Sequence, residues 1–410
     1  MNKFYLKDMQ NKKIKKIIFL VEDRFTSRDY DRFGLEILQK EGFDVEVWDL
    51  TVALHPKFSY IPPDLSNYTG VIVFEDKKMV YKSLAELESD VLVLNMMSYS
   101  SSTLGVYRAL SRSRAFYAVF NANSIPVSTK NKTWTSFLSE RFRRMMIVGP
   151  SKAWRRLLFS LPYRWLGVRP ADLILAGGQM SLNCEYPLDD RTEVFYGHTL
   201  DYDIYLKERE KSNKQQNIAV FLDEFYPFHP DCEMVIGGAP VSDEKYYAQL
   251  NDFFDLVEKE TGLEVAVAAH PRSNYEEMPD FFKGRKCIRG KTADLVKNSR
   301  LVVSHCSTSS NFAVFFNKPV IFITCSELNK SSQGPYIKGK AQWFGKEPIF
   351  IDGSAKSDIN WKFELTVNKE HYTNYRMAYI KTQDSKDVPL WQMFAERVKK
   401  GFTAGRDNGC

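Results

Sequence analysis

The segment Leu301-Val-Val-Ser-His-Cys-Ser-Thr-Ser-Ser-Asn-Phe-Ala313 joins a β-branched apolar run to a cluster of small hydroxyls, and a helical pattern follows. Ser307, Thr308, Ser309 and Ser310 fall at the mouth of that helix, where the first turn leaves backbone N–H groups unpaired. Such a mouth favours an anion by about 0.3–1 kcal/mol when exposed, and by up to about 2 kcal/mol when partly buried. The same residues could equally be plain caps, one hydroxyl serving as the N-cap and the others lying in a loop. Two further segments bring chemistry to the same kind of place. Leu263–Ala269 reads as a buried strand and runs into His270-Pro271-Arg272-Ser273-Asn274. Asn217–Leu222 reads as another strand, ended by Asp223-Glu224. In open α/β sheets ligands bind outside the carboxyl ends of strands. A carboxylate pair, a histidine beside an arginine and a hydroxyl cluster therefore describe a site for a nucleotide carrying a phosphate and a sugar.

An acidic pair after a strand, then His-Pro, then a Ser/Thr cluster is a three-part pattern, and over residues 215–330 the chain resembles the bacterial transferases that use CMP-activated acidic sugars. These are the bacterial sialyltransferases and the Kdo (3-deoxy-manno-octulosonic acid) transferases of capsule and O-antigen assembly. Thr292–Ser304 and Asn317–Thr324 are similar to the C-terminal half of those families. The loop Asp223-Glu-Phe-Tyr-Pro-Phe-His-Pro-Asp231 is similar to that of the retaining β-Kdo transferases that act on O-polysaccharide. Over residues 1–210 the resemblance is one of layout alone.

The resemblance implies CMP-β-Kdo as donor substrate, a bacterial glycan such as an O-polysaccharide terminus as acceptor, and transfer with retention by two displacements through a covalent glycosyl-enzyme. It assigns Ser307–Ser310 to the donor phosphate and His270 to the phosphate or ribose. Arg272 goes to the sugar carboxylate or the phosphate, with Asn274 in the same loop. A protonated His270 would clamp the leaving group. The similar transferases carry an aspartate nucleophile in the loop after Asp223. Here the run reads His229-Pro230-Asp231-Cys232-Glu233, and Cys232 is expected at the nucleophile's position in place of aspartate. A chain altered in this way would turn over poorly, although a thiolate could form a sulfur-linked adduct. The rival assignment makes Asp231 the nucleophile and Cys232 a packing residue. Asp223 and Glu224 would orient His229 or act as general base toward the acceptor hydroxyl. No Asp-x-Asp stands in this half and CMP carries one phosphate, so neither metal nor cofactor is expected. Competing readings are an inverting CMP-sialic-acid transferase with a single base, a polyol-phosphate transferase, and a non-catalytic glycan- or nucleotide-binding module.

The elements that must position these residues are written in alternating runs. Lys15–Val21, Phe43–Asp49, Gly70–Phe74, Asp90–Asn95 and Tyr117–Phe120 read as strands, with a helical pattern from Ser27 to Lys40 and a later strand at Leu173–Ala176. Strands are expected again near 217–222, 263–269, 285–288, 300–304 and 319–324, and helices near 243–261, 292–298 and 308–317. Strands alternating with helices indicate parallel sheets. The expected architecture is α/β, two Rossmann-like domains in a GT-B-like arrangement. An acceptor domain would span 1–210 and a CMP-sugar domain 211–385, with a terminal helix (386–403) packing back across the domains. Lys207–Gln216 reads as the linker. Glu22-Asp23-Arg24 and Ser98–Thr103 follow strand ends in the first domain and are candidates for acceptor hydroxyls, or ordinary helix caps.

With 410 residues, 44% hydrophobic and 26% charged, the chain is long enough for two cores and is not of disordered composition. A net charge of +6 with no sustained basic stripe argues against nucleic acid as partner. Its six cysteines contain no CxxC and suit a reducing cytoplasm, and no apolar run reaches the ~18–20 residues that span a bilayer. Basic and apolar residues interleave through 141–165. That pattern fits a cationic amphipathic helix on the inner face of the cytoplasmic membrane, or a packed surface helix whose long stems cover apolar area. The expected location is cytoplasmic, peripheral to the membrane if the first of these holds.

Overall fold

Runs that are apolar without interruption become parallel strands here because both faces of each sheet are covered. The computed structural model describes residues 12–23, 25–56, 69–128, 161–229, 238–353 and 358–402. Among them two compact units are distinct. The first gathers residues within Met1–Ala122, Lys132–His198 and Asp384–Cys410, and the second those within Asn123–Asn131 and Thr199–Gln383.

The first unit is built on seven parallel strands: β1 (Lys16–Val21), β2 (Asp44–Asp49), β3 (Val71–Val73), β4 (Val91–Asn95), β5 (Phe116–Asn121), β6 (Leu173–Ala176) and β7 (Glu193–Tyr196). Their spatial order is β3-β2-β1-β4-β5-β6-β7. The chain moves outward in one direction from β1 through β3, then crosses back to β4 and runs the other way. The switch point therefore lies between β1 and β4. Ile18, Leu20, Val93, Tyr107, Tyr117 and Ile174 share the buried core on one face.

The Ser27–Lys40 pattern is divided into two short helices, Ser27–Arg32 and Leu35–Lys40. Gly34 between them takes a left-handed φ of 58°. A Cβ on Gly34 would sit 2.3 Å from Trp391. Trp391 is 1% exposed and donates its indole N–H to the Arg32 carbonyl at 2.6 Å. A helix 359 residues away in sequence thus breaks the local periodicity. That helix, Leu390–Lys399, belongs to the first unit, where Arg397 also pairs with Glu193 of β7.

The second unit carries six parallel strands: β8 (Ile218–Leu222), β9 (Glu264–Ala269), β10 (Cys287–Arg289), β11 (Leu301–Ser304), β12 (Val320–Thr324) and β13 (Ile349–Phe350). Their order is β10-β9-β8-β11-β12-β13, so the switch point lies between β8 and β11. Leu222 stands opposite both Ala268 and Ser304, which brings three loops out at one level of one edge. Helices Asp243–Thr261 and Thr292–Asn298 form where the sequence places them. The expected helix near 308–317 is a 3₁₀ turn, Thr308–Ser310, followed by a single short helix, Asn311–Phe315.

The helix Leu200–Glu208 falls within the second unit, N-terminal to the expected boundary at 210. Its Asp201 accepts from Asn311 at 3.2 Å, and Lys297 donates to the Glu208 carbonyl at 2.6 Å. The polar composition of 207–216 marked the exposed end of this connection, while the preceding helix is tied down by side chains that the linker pattern does not reveal. No helix among the described residues is long and apolar enough to cross a membrane.

Candidate functional site

Asp223 and Glu224 leave β8 at the centre of the second sheet, and each reaches a different neighbouring loop. The Asp223 carboxylate is buried. It accepts from the backbone N–H of His270 at 3.1 Å and from the Tyr275 hydroxyl at 3.1 Å, both in the segment after β9. Its other oxygen accepts from the Phe225 N–H at 2.9 Å. This holds Phe225 at a φ of 52°, a left-handed conformation unusual for a bulky residue. Glu224 accepts from the Cys306 N–H at 3.0 Å and from its thiol at 3.4 Å, in the loop after β11. The Tyr226 hydroxyl lies 3.3 Å from the same sulfur. The acidic pair is therefore a bracket that fastens the His-Pro loop on one side and the serine turn on the other.

Burial sets the charge of this bracket. It pushes Asp223 up to about 6 against the N–H and hydroxyl donors that favour its ionised form. It likewise pushes Glu224 up to about 7. Near neutrality the pair carries less than two full negative charges, so a phosphate brought beside it meets less repulsion than two exposed acids would exert. Burial also drives the Cys306 thiol well above its ordinary value, leaving it neutral. Beneath the turn His305 is buried between the Ile323 carbonyl (Nδ1, 2.8 Å) and the Tyr246 hydroxyl (Nε2, 2.9 Å). Burial pulls it down to about 4, which makes it a neutral strut.

In the loop after β9 the His270 Nδ1 accepts from the Arg272 N–H at 3.3 Å, which favours the tautomer with its proton on Nε2. The His270 ring lies edge-on to His229 at 4.7 Å between centroids. Ser273 closes the loop by donating to the His270 carbonyl at 2.8 Å. Arg272 and Asn274 are exposed, and Asn274 donates to Glu277 at 3.3 Å within its own turn.

The serine turn divides its hydroxyls by role. Ser307 accepts from the Ser309 N–H at 3.3 Å as a cap, and buried Ser310 donates to the Ser307 carbonyl at 2.8 Å. The half-buried hydroxyls of Thr308 and Ser309 bond nothing among the described residues. Sequence reasoning brought the three loops to one edge, and His229 and His270 stand together there. Asp231 and Cys232 lie outside the described residues, as do Arg24 and most of the 141–165 segment.

Lys340 was missed. Its Nζ donates to the Tyr375 hydroxyl at 2.6 Å, behind the serine turn. The available signal was its phase: Ile337, Lys340, Ala341 and Phe344 recur on one helix face, and all are buried.

The first unit places a related cluster at its own switch point. Glu22, after β1, accepts from the Ser98 N–H at 3.1 Å and hydroxyl at 2.9 Å in the loop after β4. His55 Nε2 stands 3.6 Å from the same carboxylate. Thr103 donates to the Ser98 carbonyl at 2.6 Å and accepts from the Ser100 N–H at 3.0 Å, so part of the Ser98–Thr103 cluster serves its own turn.

No protein-family model matches the chain, and no curated protein matches its sequence. Among solved structures it is similar to the UDP-GlcNAc 2-epimerase of Methanocaldococcus jannaschii in complex with UDP-GlcNAc and UDP. That match has 13% identity over 95% of this chain and 100% of the other, with a TM-score of 0.50. It is also similar to MurG of Acinetobacter baumannii, at 10% identity over 94% and 99% of the two chains with a TM-score of 0.48. The wall teichoic acid polymerase TagF, soaked with CDPG, matches at 12% identity over 96% and 90% with a TM-score of 0.47. At such identities the likeness to the epimerase is one of fold. Together with the two parallel sheets it gives the chain two Rossmann-like units of the GT-B type.

Proposed function

We propose that the chain is a glycosyltransferase that binds a CMP-activated acidic sugar, CMP-Kdo, at the switch point of its second unit and transfers the sugar to a bacterial surface glycan. The observation that carries this reading is the Asp223–Glu224 bracket. It holds a histidine pair on one side and, on the other, a turn with two hydroxyls unengaged among the described residues, at the sheet edge where α/β folds bind ligands. Thr308 and Ser309 supply donors for the single phosphate. His270 and His229 supply a proton or a charge to the departing CMP, and Arg272 meets the sugar carboxylate. The bracket, only partly ionised near pH 7, opposes the anion less than two fully ionised acids would.

The sugar then passes through a side chain in the loop that continues from His229. In the first displacement a carboxylate or thiolate, Asp231 or Cys232, attacks the anomeric carbon and the C–O bond to CMP breaks. In the second an acceptor hydroxyl displaces that side chain and loses its proton to a base. The stereochemistry at the anomeric carbon is retained because it is inverted twice. With Cys232 at the nucleophile's position the first step would be slow or would stop at a thioglycoside.

The test incubates the chain, and Cys232→Asp, with CMP-Kdo, CMP-sialic acid, CDP-glycerol and UDP-GlcNAc, and follows intact-protein mass and released nucleotide. The expected result is CMP release from CMP-Kdo that rises at least tenfold in Cys232→Asp, with one Kdo added to the protein mass. Release from CDP-glycerol or UDP-GlcNAc alone would replace the donor assignment. CMP-Kdo turnover unchanged in Cys232→Asp would return the nucleophile's role to Asp231.

A further inference from the structure

Lys340 takes no part in the chemistry proposed above, yet it is 1% exposed and lies on the apolar face of the helix Gly334–Trp343. A buried ammonium is costly unless an opposite charge offsets it. No carboxylate forms an ion pair with it among the described residues; its hydrogen bond goes to the neutral Tyr375 hydroxyl at 2.6 Å. Tyr375 donates in turn to Asn311 Oδ1 at 3.1 Å, and Asn311 Nδ2 donates to Asp201 at 3.2 Å. Asn311 follows Ser310 directly, so this chain of bonds passes along the back of the serine turn before it ends on the buried Asp201 carboxylate. Among the described residues, the charged and titratable groups facing Lys340 are Asp201 from the helix Leu200–Glu208, Glu224 after β8, Cys306 after β11 and Tyr375 from the helix Lys369–Tyr375. A wide π-helical turn, Arg376–Ile380, continues from Tyr375.

We propose that Lys340 is the counter-charge for the anion bound at the serine turn. It acts from behind, through Tyr375 and Asn311 and across the low-dielectric interior, as a positioning residue that keeps its proton when the anion is bound. The inference rests on the donor-site reading above and adds to Arg272 and the histidines a buried positive charge behind the serine turn, which the turn itself lacks. Burial pulls the free amine down to about 8. An anion at the turn raises it again, so anion binding takes up a proton above that pH. Affinity then falls with rising pH, by as much as about tenfold per unit for one coupled proton. The window above pH 8 isolates this group. An ordinary imidazole is already neutral there, Glu224 has lost its proton, and Cys306 and Tyr375 keep theirs.

The experiment is calorimetric titration with CMP at pH 7.5, 8.5 and 9.5, using the full chain, Lys340→Met and Tyr375→Phe. In the unmodified chain affinity should fall about fivefold or more across the range. Lys340→Met should bind more weakly at pH 7.5 and show no further decline. Tyr375→Phe should decline with its midpoint at lower pH, because the ammonium has lost its acceptor. A constant affinity in the unmodified chain, or an undiminished decline in folded Lys340→Met, overturns the inference. Where Lys340→Met does not fold, an unmoved midpoint in Tyr375→Phe overturns it instead. Binding that is independent of pH removes only the lysine's role. Failure to bind CMP, UMP and inorganic phosphate at pH 7.5 removes the donor site and the inference with it.

Discussion

The two sheets place acids at the same topological position and use them differently. In the first unit the acids come from two strands. Glu22 after β1 reaches the loop after β4, while Asp49, the last residue of β2, reaches back to the Phe25 N–H at 3.3 Å and caps Thr51 at 2.9 Å. In the second unit both acids come from β8 and reach outward, Asp223 toward the β9 loop and Glu224 toward the β11 loop. Glu22 keeps access to solvent beside His55, whereas Asp223 is withdrawn from water and Glu224 largely so, with Lys340 buried behind them. One crevice therefore sets a partly exposed carboxylate beside an imidazole, the arrangement the proposed acceptor hydroxyl calls for. The other withdraws its acids from water and holds a cation behind them, the arrangement the proposed phosphate calls for.

The largest expected effect breaks the comparison at its anchors. Asp223→Ala leaves two backbone N–H groups and a tyrosine hydroxyl without their acceptor. At about 1–3 kcal/mol for each buried unsatisfied group, the loss should be about 3 kcal/mol or more. Asp49→Ala strands the Phe25 and Thr51 N–H groups and the Thr51 hydroxyl, and should cost about as much in urea unfolding. The two should separate in CMP titrations, where Asp223→Ala abolishes binding and Asp49→Ala leaves it unchanged. Equal effects on CMP binding would remove the distinction between the crevices.

The next effect is on pH dependence. Asp223 and Glu224 have folded values of about 6 and 7, above their ordinary carboxylate range, so between about pH 4 and 7 the folded chain binds more protons than the unfolded one. Stability contributed by this pair therefore falls as pH rises through that window. Glu224→Gln keeps an acceptor for the Cys306 N–H and removes the titration. Its melting temperature should exceed that of the unmodified chain by about 2–4 °C at pH 8, with little difference at pH 5. Parallel curves for the two proteins across pH 5–8 would show that Glu224 does not titrate in this window.

Much of this frame is legible in the residues. β1, β4, β8, β9, β11 and β12 are largely continuous apolar runs because both of their faces are covered, and β2 shows in the alternation of Asp44–Asp49. β7 and β13 escape notice because they are short edge strands, half exposed, with no such run. The break at Gly34 could not be read locally, since its cause is Trp391. At the site, residue type and strand order bring Asp223, His270 and Ser307 together. What they do not disclose is direction: a carboxylate aimed at a backbone N–H and one aimed at a ligand have the same sequence signature. The bracket therefore read as candidate bases. Lys340 was hidden by its exposed neighbour Lys338, two positions away on another face of the helix.

The third effect separates the hydroxyls of the serine turn. Thr308→Val and Ser309→Ala should each lower CMP affinity about tenfold, the loss of one hydrogen bond to a charged group, without changing the melting temperature, because neither hydroxyl bonds any of the described residues. Ser310→Ala should do the reverse, removing the bond to the Ser307 carbonyl at a cost of about 1 kcal/mol in stability.

The smallest effect lies in the first unit. Ser98→Ala removes the hydroxyl contact to Glu22 at 2.9 Å but keeps the backbone contact at 3.1 Å. Glu22 is partly solvated, so water replaces the lost donor and stability should change by less than about 1 kcal/mol. The carboxylate, held by one donor instead of two, becomes freer to move toward His55 or an acceptor hydroxyl. In a Kdo-transfer assay the variant should show an altered KM for the acceptor glycan and an unaltered KM for CMP-Kdo. An altered donor KM instead would mean that the open crevice also serves the nucleotide sugar, and the division of labour between the two switch points would have to be redrawn around Glu22.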